Sequence, residues 1–286
     1  MDKREDKNPF YVKNGRAMVS LGPLNKIKYC AYSCAFCYVQ DGFLKYKNMC
    51  VNDICNFLQE NQQNFKIIYI SGDTDSFAPP RTSQGLELLS CISERIDKDI
   101  LFTTRMVFSD EEMKEIISVK DKMMKKGKDL FACISITSPI GERSIEPIPI
   151  KTIEERIKQL ALFKDNNIFS ILAMRPFLPI YSLDQYKELI LKVYEKVDCI
   201  LGERWFFHQD DIIYKRVMEG KAINSGNIIL TEMDFDENFD TWNLWYDEQL
   251  ENAIKELCNQ LGVPFYMRST PAIEYLKGYS KCDGIS

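Results

Sequence analysis

Short apolar runs rich in β-branched residues alternate with longer amphipathic stretches along most of the chain. The runs cover 66–70, 99–104, 130–136, 168–174 and 197–201. They begin about 30 residues or slightly more apart, which is the length of a strand–helix unit. An earlier run at 24–30 can serve as a first strand. The pattern predicts parallel strands joined by helices.

Amphipathic spacing and capping residues mark the helices between these runs. The stretch 83–96 places leucines and isoleucines on one side. Capping residues precede three further helices, at Ser109 with Glu112, Thr152 with Glu155, and Ser182. A last long helical pattern covers about 242–261 and is followed by a short apolar run. The aromatic segment 239–246 is interpreted as part of a core-facing helix rather than a stacking platform.

Six strand–helix units without a boundary signal predict an α/β fold, a partial (β/α)6 TIM-like barrel with a C-terminal α/β extension. We expect a single domain over 1–286, with a core of about 20–205 and an extension of about 206–286. In such barrels the chemistry lies at the C-terminal ends of the strands. Residues that follow the predicted strands are therefore the candidates for a site.

Composition and charge exclude several classes of protein. No apolar run reaches the ~20 residues that cross a bilayer, and the N-terminus lacks the apolar stretch of a signal peptide. We therefore expect a cytoplasmic protein that has no membrane partner. The net charge of -5 argues against extended binding of duplex nucleic acid, which requires a basic surface.

The chain has ten cysteines and one histidine, and three of the cysteines are clustered. The sequence CAYSCAFC places Cys30, Cys34 and Cys37 at spacings of four and three residues, directly after the first predicted strand. Three thiolates on one loop can hold a [4Fe–4S] cluster. The fourth iron then has no protein ligand and is open to a small molecule.

Two other interpretations of these cysteines stay open at this point. One is a zinc site with Cys50 or Cys55 as the fourth ligand, although the region has neither a second CxxC pair nor a histidine. The other is a set of buried structural cysteines. A further hypothesis is a non-catalytic binding or adaptor protein that is stabilised by zinc or by an iron–sulfur cluster.

The CAYSCAFC segment resembles the CxxxCxφC signature of the radical S-adenosylmethionine (SAM) superfamily, with Phe36 as the aromatic residue before the last cysteine. The resemblance implies one [4Fe–4S] cluster whose open iron binds the amino and carboxylate groups of SAM. It also implies reductive cleavage of SAM to a 5′-deoxyadenosyl radical that abstracts hydrogen from a substrate. A flavodoxin or ferredoxin is the electron donor expected for this superfamily.

Further segments resemble the spore photoproduct lyase-like branch of this superfamily. In chain order they are 71–77, 103–106, 135–138, 143–147 and 175–180. Each segment is short, but the ordered set spans about 30–180. That branch includes an enzyme with a cysteine hydrogen donor after its second strand, whereas the segment 71–82 has no cysteine here. The resemblance is therefore carried over for the cofactors and not for thymine-dimer repair.

The resemblance implies a set of SAM contacts. Ser71, Gly72 and Asp73 follow the second strand, where the superfamily holds the SAM amino group, and Asp73 or Asp75 can favour the ammonium. The remaining contacts are Arg105 at the SAM carboxylate, Ser135 at the ribose, and Phe36 with Tyr38 near the adenine.

Candidates on the substrate side follow the last strands. His208 is either an acid–base group or a hydrogen-bonded structural residue. Arg268 pairs either with an anionic substrate or with a structural carboxylate. Glu203, Arg204 and Trp205 are expected at the same strand ends.

Overall fold

The computed structural model describes residues 10–21, 30–41, 47, 49–208, 212–224, 226–234 and 239–278. The chain divides into two compact units. The first unit comprises Met1–Ser33, Cys37–Ile134 and Ile148–Phe169, and the second comprises Cys34–Phe36, Ser135–Pro147 and Ser170–Ser286. The expectation of one domain with a core of about 20–205 stays a prediction.

The first unit contains a hairpin followed by parallel strands and helices. Its strands are β1 (Phe10–Lys13), β2 (Arg16–Val19), β3 (Ile67–Ile70), β4 (Asp99–Thr104) and β5 (Leu130–Ser135, of which Ser135 belongs to the second unit). Its helices are α1 (Val51–Glu60), α2 (Thr82–Arg95), α3 (Asp110–Lys125) and α4 (Ile153–Asp165), with short 3-10 turns at Tyr38–Asp41 and Gln62–Asn64. β1 pairs with β2 antiparallel, and β2, β3, β4 and β5 pair in that order, all parallel.

The predicted strand–helix alternation is confirmed in this unit. The strand at 99–104 has the predicted bounds, and β3 and β5 lie within the predicted runs. Both capping boxes are present at the starts of α3 and α4, where the cap and the third helical residue satisfy each other's backbone N–H groups. The run 24–30 falls largely on residues 22–29, which lie outside the described residues. The strand beside β3 is β2.

Four phenylalanines form an aromatic core behind the carboxyl ends of β3 and β4. Phe102 of β4 contacts Phe77, Phe108 and Phe163, with ring centroids 5.1, 6.4 and 5.9 Å away. Phe77 and Phe108 lie in the loops that follow β3 and β4, and Phe163 lies on α4. All four side chains are buried. The two loops pack onto this core through Phe77 and Phe108, so their positions depend on its packing.

The second unit combines three parallel strands with a separate antiparallel sheet. Its strands are β6 (Phe169–Met174, of which Phe169 belongs to the first unit), β7 (Cys199–Gly202), β8 (Trp205–His208), β9 (Asn227–Asp234), β10 (Phe239–Tyr246) and β11 (Phe265–Tyr266). Its helices are α5 (Leu183–Val193), α6 (Ile212–Met218), α7 (Glu248–Gln260) and α8 (Ser269–Leu276), with a 3-10 turn at Tyr194–Lys196. β6 and β11 flank β7 in parallel, and β10 lies between β8 and β9.

The helix predicted over about 242–261 begins later, because 239–246 is the strand β10 and α7 starts only at Glu248. The spacing of Trp242 and Trp245 matches a helix, but in β10 these residues point to opposite faces of the strand. Both are nevertheless buried. The helical interpretation of 239–246 was wrong, while its expectation of a core position for these tryptophans is confirmed.

The α/β class is confirmed, as a succession of parallel strands and helices typical of a partial TIM-like barrel. The antiparallel sheet with α7 and α8 forms the predicted C-terminal α/β extension. No helix among the described residues is long and apolar enough to cross a membrane.

Candidate functional site

The segment after β3 is held in shape by hydrogen bonds to the end of β2. The Ser71 backbone N–H donates to the Val19 carbonyl at 2.7 Å, and the Asp73 N–H donates to the Ser20 hydroxyl at 3.3 Å. Within the segment, the Ser76 N–H donates to Ser71 Oγ at 2.9 Å. The loop is therefore formed before any ligand arrives.

Two backbone features in this loop bring the main chain close to its surroundings. Ser71 has a φ of 68°, a left-handed conformation that non-glycine residues rarely adopt. At Gly72, a Cβ atom would lie 2.3 Å from the terminal methyl of Met18. A side chain at position 72 would therefore require Met18 to move, and this movement costs little because the methyl group is the end of a flexible side chain.

The Asp73 carboxylate accepts hydrogen bonds from two tyrosines. Tyr38 Oη lies 3.0 Å from Asp73 Oδ1, and Tyr11 Oη lies 3.5 Å from Oδ2. Burial, followed by the charge of Asp73, raises the pKa of Tyr11 well above its ordinary value. Tyr38, predicted near the adenine of SAM, thus has its hydroxyl group directed at Asp73, and its role toward an adenine stays a prediction.

Asp75 joins the loop after β3 to the end of β4. Its carboxylate accepts from Thr104 Oγ1 at 2.9 Å to each oxygen, from the Arg105 N–H at 2.7 Å and from the Phe77 N–H at 3.0 Å. Burial raises the pKa of Asp75, although these hydrogen bonds favour the carboxylate. Because the carboxylate already accepts these bonds, Asp73 is the better candidate of the two for a ligand's ammonium group.

Cys30 lies directly against this arrangement. The backbone N–H groups of Asp75 and Tyr32 lie near its sulfur and favour the thiolate, and Arg105 and Arg81 lie close enough to interact with its charge. Burial, and secondarily the charge of Asp75, raises the pKa of the Cys30 thiol. The first cysteine of the motif is thereby brought to the carboxyl ends of β3 and β4, together with Arg105.

The other two motif cysteines have different environments. Cys34 is buried and belongs to the second unit with Phe36, which is also buried, whereas Cys37 is half-buried in the first unit. In the described part of the chain, no three cysteine, histidine or acidic side chains form a site for a single metal ion. A [4Fe–4S] cluster requires a different arrangement, because each thiolate binds a different iron atom.

Thiolates are the donors that an iron–sulfur cluster prefers. The N–H groups at Cys30 are also suited to a sulfur that carries negative charge, because they stabilise the thiolate form. The chemistry of these residues therefore fits such a cluster.

Ser135, the predicted ribose contact, ends β5 and is buried in the second unit. A polar network lies in the loop that follows it. Glu142 accepts from Lys221 Nζ at 2.6 Å, from Ser144 Oγ at 2.6 Å and from Tyr181 Oη at 3.1 Å. This network fixes the segment after α6 to the loop after β5.

Glu142→Gln is expected to lower the free energy of unfolding by about 1 kcal/mol at neutral pH. Burial raises the pKa of Glu142, but the bonds from Lys221, Ser144 and Tyr181 outweigh this effect and hold it below its ordinary value. Because the folded-state pKa lies below the unfolded value of about 4.3, the carboxylate's contribution is present above that pH. It is lost as the pH falls through the folded pKa.

Urea denaturation of wild type and Glu142→Gln between pH 7 and pH 3 measures this difference. A matched control is Glu94→Gln, because Glu94 pairs with Lys122 where both side chains are about half exposed, at 55% and 44%. We expect a change of no more than a few tenths of a kcal/mol for the control. A stability difference for Glu142→Gln that persists unchanged at pH 3 would contradict the assignment.

The residues predicted on the substrate side have different environments in the structure. Arg204 forms a two-point ion pair with Glu251, at 2.8 and 3.0 Å, so it has a structural partner. Trp205 is buried beside Tyr214, with stacked rings 5.9 Å apart, and does not line an open strand end. His208 belongs to β8, but its side chain lies outside the described residues. Arg268 immediately precedes α8, and its role stays a prediction.

The sequence interpretation missed Thr104 and Arg81 and gave Asp75 a different role. Thr104 and Asp75 form the link between two loops, and Arg81 is a buried arginine that immediately precedes α2. Asp75 appeared only as an alternative to Asp73 for the ammonium. The available signal was positional: Thr104 ends an apolar strand and Arg105 follows it, as Ser71 and Gly72 follow β3. Adjacent parallel strands bring such residues to one edge.

Comparisons with known proteins show a distant likeness. No protein-family profile and no curated protein sequence matches the chain. Among solved structures, a cobalamin-dependent S-adenosylmethionine radical enzyme, OxsB, has a TM-score of 0.40 and 18% identity over 64% of this chain and 27% of its own. Methylornithine synthase, PylB, has a TM-score of 0.40 and 12% identity over 65% of this chain and 52% of its own.

A xylose isomerase domain protein from Planctomyces limnophilus covers more of the chain, 81%, with a lower TM-score of 0.33 and 12% identity. The chain spans about a quarter of OxsB and about half of PylB. Similarities at this level do not identify a site, so the site in this chain is assigned from its own residues.

Proposed function

We propose that this chain is a radical SAM enzyme that holds one [4Fe–4S] cluster through Cys30, Cys34 and Cys37. The proposal rests on the CAYSCAFC motif combined with the position of its first cysteine. The Cys30 sulfur lies near the backbone N–H of Asp75, in the polar loop that follows β3, and that N–H favours its thiolate. This proximity supports a cluster ligand beside the loop where the superfamily binds SAM.

When bound, the cluster supplies the electron that cleaves SAM into methionine and a 5′-deoxyadenosyl radical, which takes a hydrogen atom from an organic substrate. The protein binds and orients the reactants and excludes water from them. A small electron-transfer protein, a flavodoxin or a ferredoxin, would supply the electron in this proposal.

The loop after β3 and the end of β4 provide complementary charges for the two ends of an amino acid. Asp73 has a half-buried carboxylate, and the carbonyl groups of Ser71 and Gly72 are further acceptors, so this side suits the SAM ammonium. Arg105 follows β4 and is the donor proposed for the SAM carboxylate. Phe36 and Tyr38 are proposed at the adenine, and Ser135 at the ribose.

Anaerobic reconstitution with iron and sulfide tests this function. We expect a brown protein that holds about four irons per chain and releases 5′-deoxyadenosine from SAM in the presence of dithionite. A protein that holds the cluster but never cleaves SAM would overturn the enzymatic proposal. A colourless protein with one zinc per chain would instead favour the alternative of a non-catalytic, metal-stabilised binding protein.

Membership of the spore photoproduct lyase-like branch is a finer proposal. It is supported by the order of the short segments from 71–77 to 175–180. The absence of a cysteine from 71–82 separates this chain from thymine-dimer repair that uses a cysteine at that point. Release of 5′-deoxyadenosine without any repair of a thymine-dimer oligonucleotide is the expected result.

A further inference from the structure

We infer that Asp75 is a positioning residue, which sets the direction of Arg105 relative to the loop 71–77 and to Cys30 through hydrogen bonds. The inference rests on the proposed function, because its ligand is the carboxylate end of SAM. It assigns to Asp75 a role other than direct contact with SAM.

Three hydrogen-bond donors converge on the Asp75 carboxylate. Asp75 accepts from a hydroxyl and from two backbone N–H groups, at distances between 2.7 and 3.0 Å. Two of these donors, Thr104 Oγ1 and the Arg105 N–H, are consecutive at the end of β4. Three donors occupy most of the roughly four lone-pair sites of a carboxylate, so little capacity is left for a ligand.

These hydrogen bonds fix the backbone on both sides of Arg105. Arg105 is the first residue after β4, so the strand's own ladder does not fix its backbone direction. The bond from its N–H to Asp75 fixes that direction, and the adjacent bond from Thr104 prevents the peptide from turning. Thr104 Oγ1 also accepts the Met106 N–H at 2.9 Å, so the chain is held on both sides of Arg105.

The same residue also lies beside the proposed cluster ligand. The Asp75 carboxylate bonds to the end of β4, while its backbone N–H lies near the Cys30 sulfur and favours the thiolate. A single residue therefore connects a proposed cluster ligand with the proposed SAM-carboxylate donor. An aspartate suits this role because a carboxylate accepts every bond described, whereas the amide NH₂ of asparagine cannot accept from the surrounding N–H groups.

The prediction is a selective loss of SAM affinity. In Asp75→Asn, one side-chain oxygen is replaced by an NH₂ donor, which opposes the Arg105 N–H at the Oδ2 position or the Phe77 N–H at the Oδ1 position. We expect the KM and Kd for SAM to rise about tenfold or more, consistent with the loss of one charge-assisted hydrogen bond. We expect the iron content to stay near four per chain and kcat at saturating SAM to change less than KM.

Thr104 provides a second pair of variants that keeps the inference testable if Asp75→Asn does not fold. Thr104→Val removes the hydroxyl with little change of shape and is expected to raise the KM for SAM. Thr104→Ser keeps the hydroxyl and is expected to restore a value within about twofold of wild type. A merely structural role of the threonine methyl group would give the opposite order.

Hydrogen–deuterium exchange of the peptide that contains 104–106 provides a readout that does not need activity. We expect the amides of Arg105 and Met106 to exchange faster in Asp75→Asn and in Thr104→Val than in wild type or Thr104→Ser. Unchanged exchange in both variants would overturn the inference.

The outcomes separate this inference from the function on which it rests. Wild-type protein that binds no SAM overturns both proposals. Wild-type protein that binds and cleaves SAM, together with Asp75→Asn and Thr104→Val proteins of unchanged KM and Kd, overturns only the positioning role. A variant that loses its iron as well as its SAM affinity would show that Asp75 acts on the cluster, and it would also overturn the selective role.

Discussion

Replacement of Cys30, Cys34 or Cys37 by alanine is expected to remove the cluster and abolish SAM cleavage. Three thiolates are the minimum that the proposed cluster requires from the protein, so no ligand can be lost without consequence. Reconstituted wild type should be brown and hold about four irons. Each single variant should hold few irons and release no 5′-deoxyadenosine above background.

Cys50→Ser is the matched control for these variants. Cys50 is exposed and caps α1, where its sulfur accepts the Asp53 N–H at 3.4 Å. Serine is a favourable residue at this cap position, so the helix should keep its start. We expect full iron content and activity. Loss of metal in Cys50→Ser would support the zinc interpretation, in which Cys50 or Cys55 is the fourth ligand, and would contradict the three-cysteine cluster.

The parallel strands could be predicted from the sequence because each is a nearly continuous apolar run. Strands such as β4 and β5 are buried on both faces in the middle of their sheet, and Leu101 and Phe131 are examples with almost no exposed surface. Helix starts were equally readable, since capping boxes are local interactions within four residues. These features depend only on nearby sequence.

β10 shows where such prediction fails. Its residues alternate in direction, but β8 and β9 flank it and both of its faces are buried, so the apolar and polar pattern of a half-exposed strand is absent. The spacing of Trp242 and Trp245 then indicates a helix. Only the pairing with sequence-distant partners, which local patterns do not contain, determines the strand.

The candidate site likewise contains residues that could be identified from the sequence and contacts that could not. Cys30, Gly72 and Arg105 could be identified from their positions after strands and from the cysteine spacing. The hydrogen bonds of Asp75 could not, because the donor Thr104 is 29 residues away in the sequence. Likewise, the contact between Asp73 and Tyr38 joins positions 35 residues apart. Sequence indicates which groups gather at a strand edge, and the fold determines which of them bond to each other.

Phe163→Ala is expected to lower the free energy of unfolding by about 3–5 kcal/mol, the usual cost of removing a buried phenylalanine side chain. Phe163 has no exposed surface and contacts the rings of Phe102 and Phe108, with centroids 5.9 and 6.3 Å away. Alanine favours helix, so α4 itself is not weakened. Urea denaturation of the purified chain should show a lower midpoint for this variant.

The neighbouring substitution Leu162→Ala separates the aromatic core from α4 as a whole. Leu162 lies on the same helix but is 42% exposed, so its removal should cost about 0.5 kcal/mol or less. If both variants lose similar stability, the helix rather than the aromatic core carries the effect. If only Phe163→Ala is destabilised, the core beneath the loops of Phe77 and Phe108 is important for holding those loops in place. Faster exchange of the Arg105 amide in that variant would then link core packing to the candidate site, since Phe108 and Arg105 lie in the same short loop.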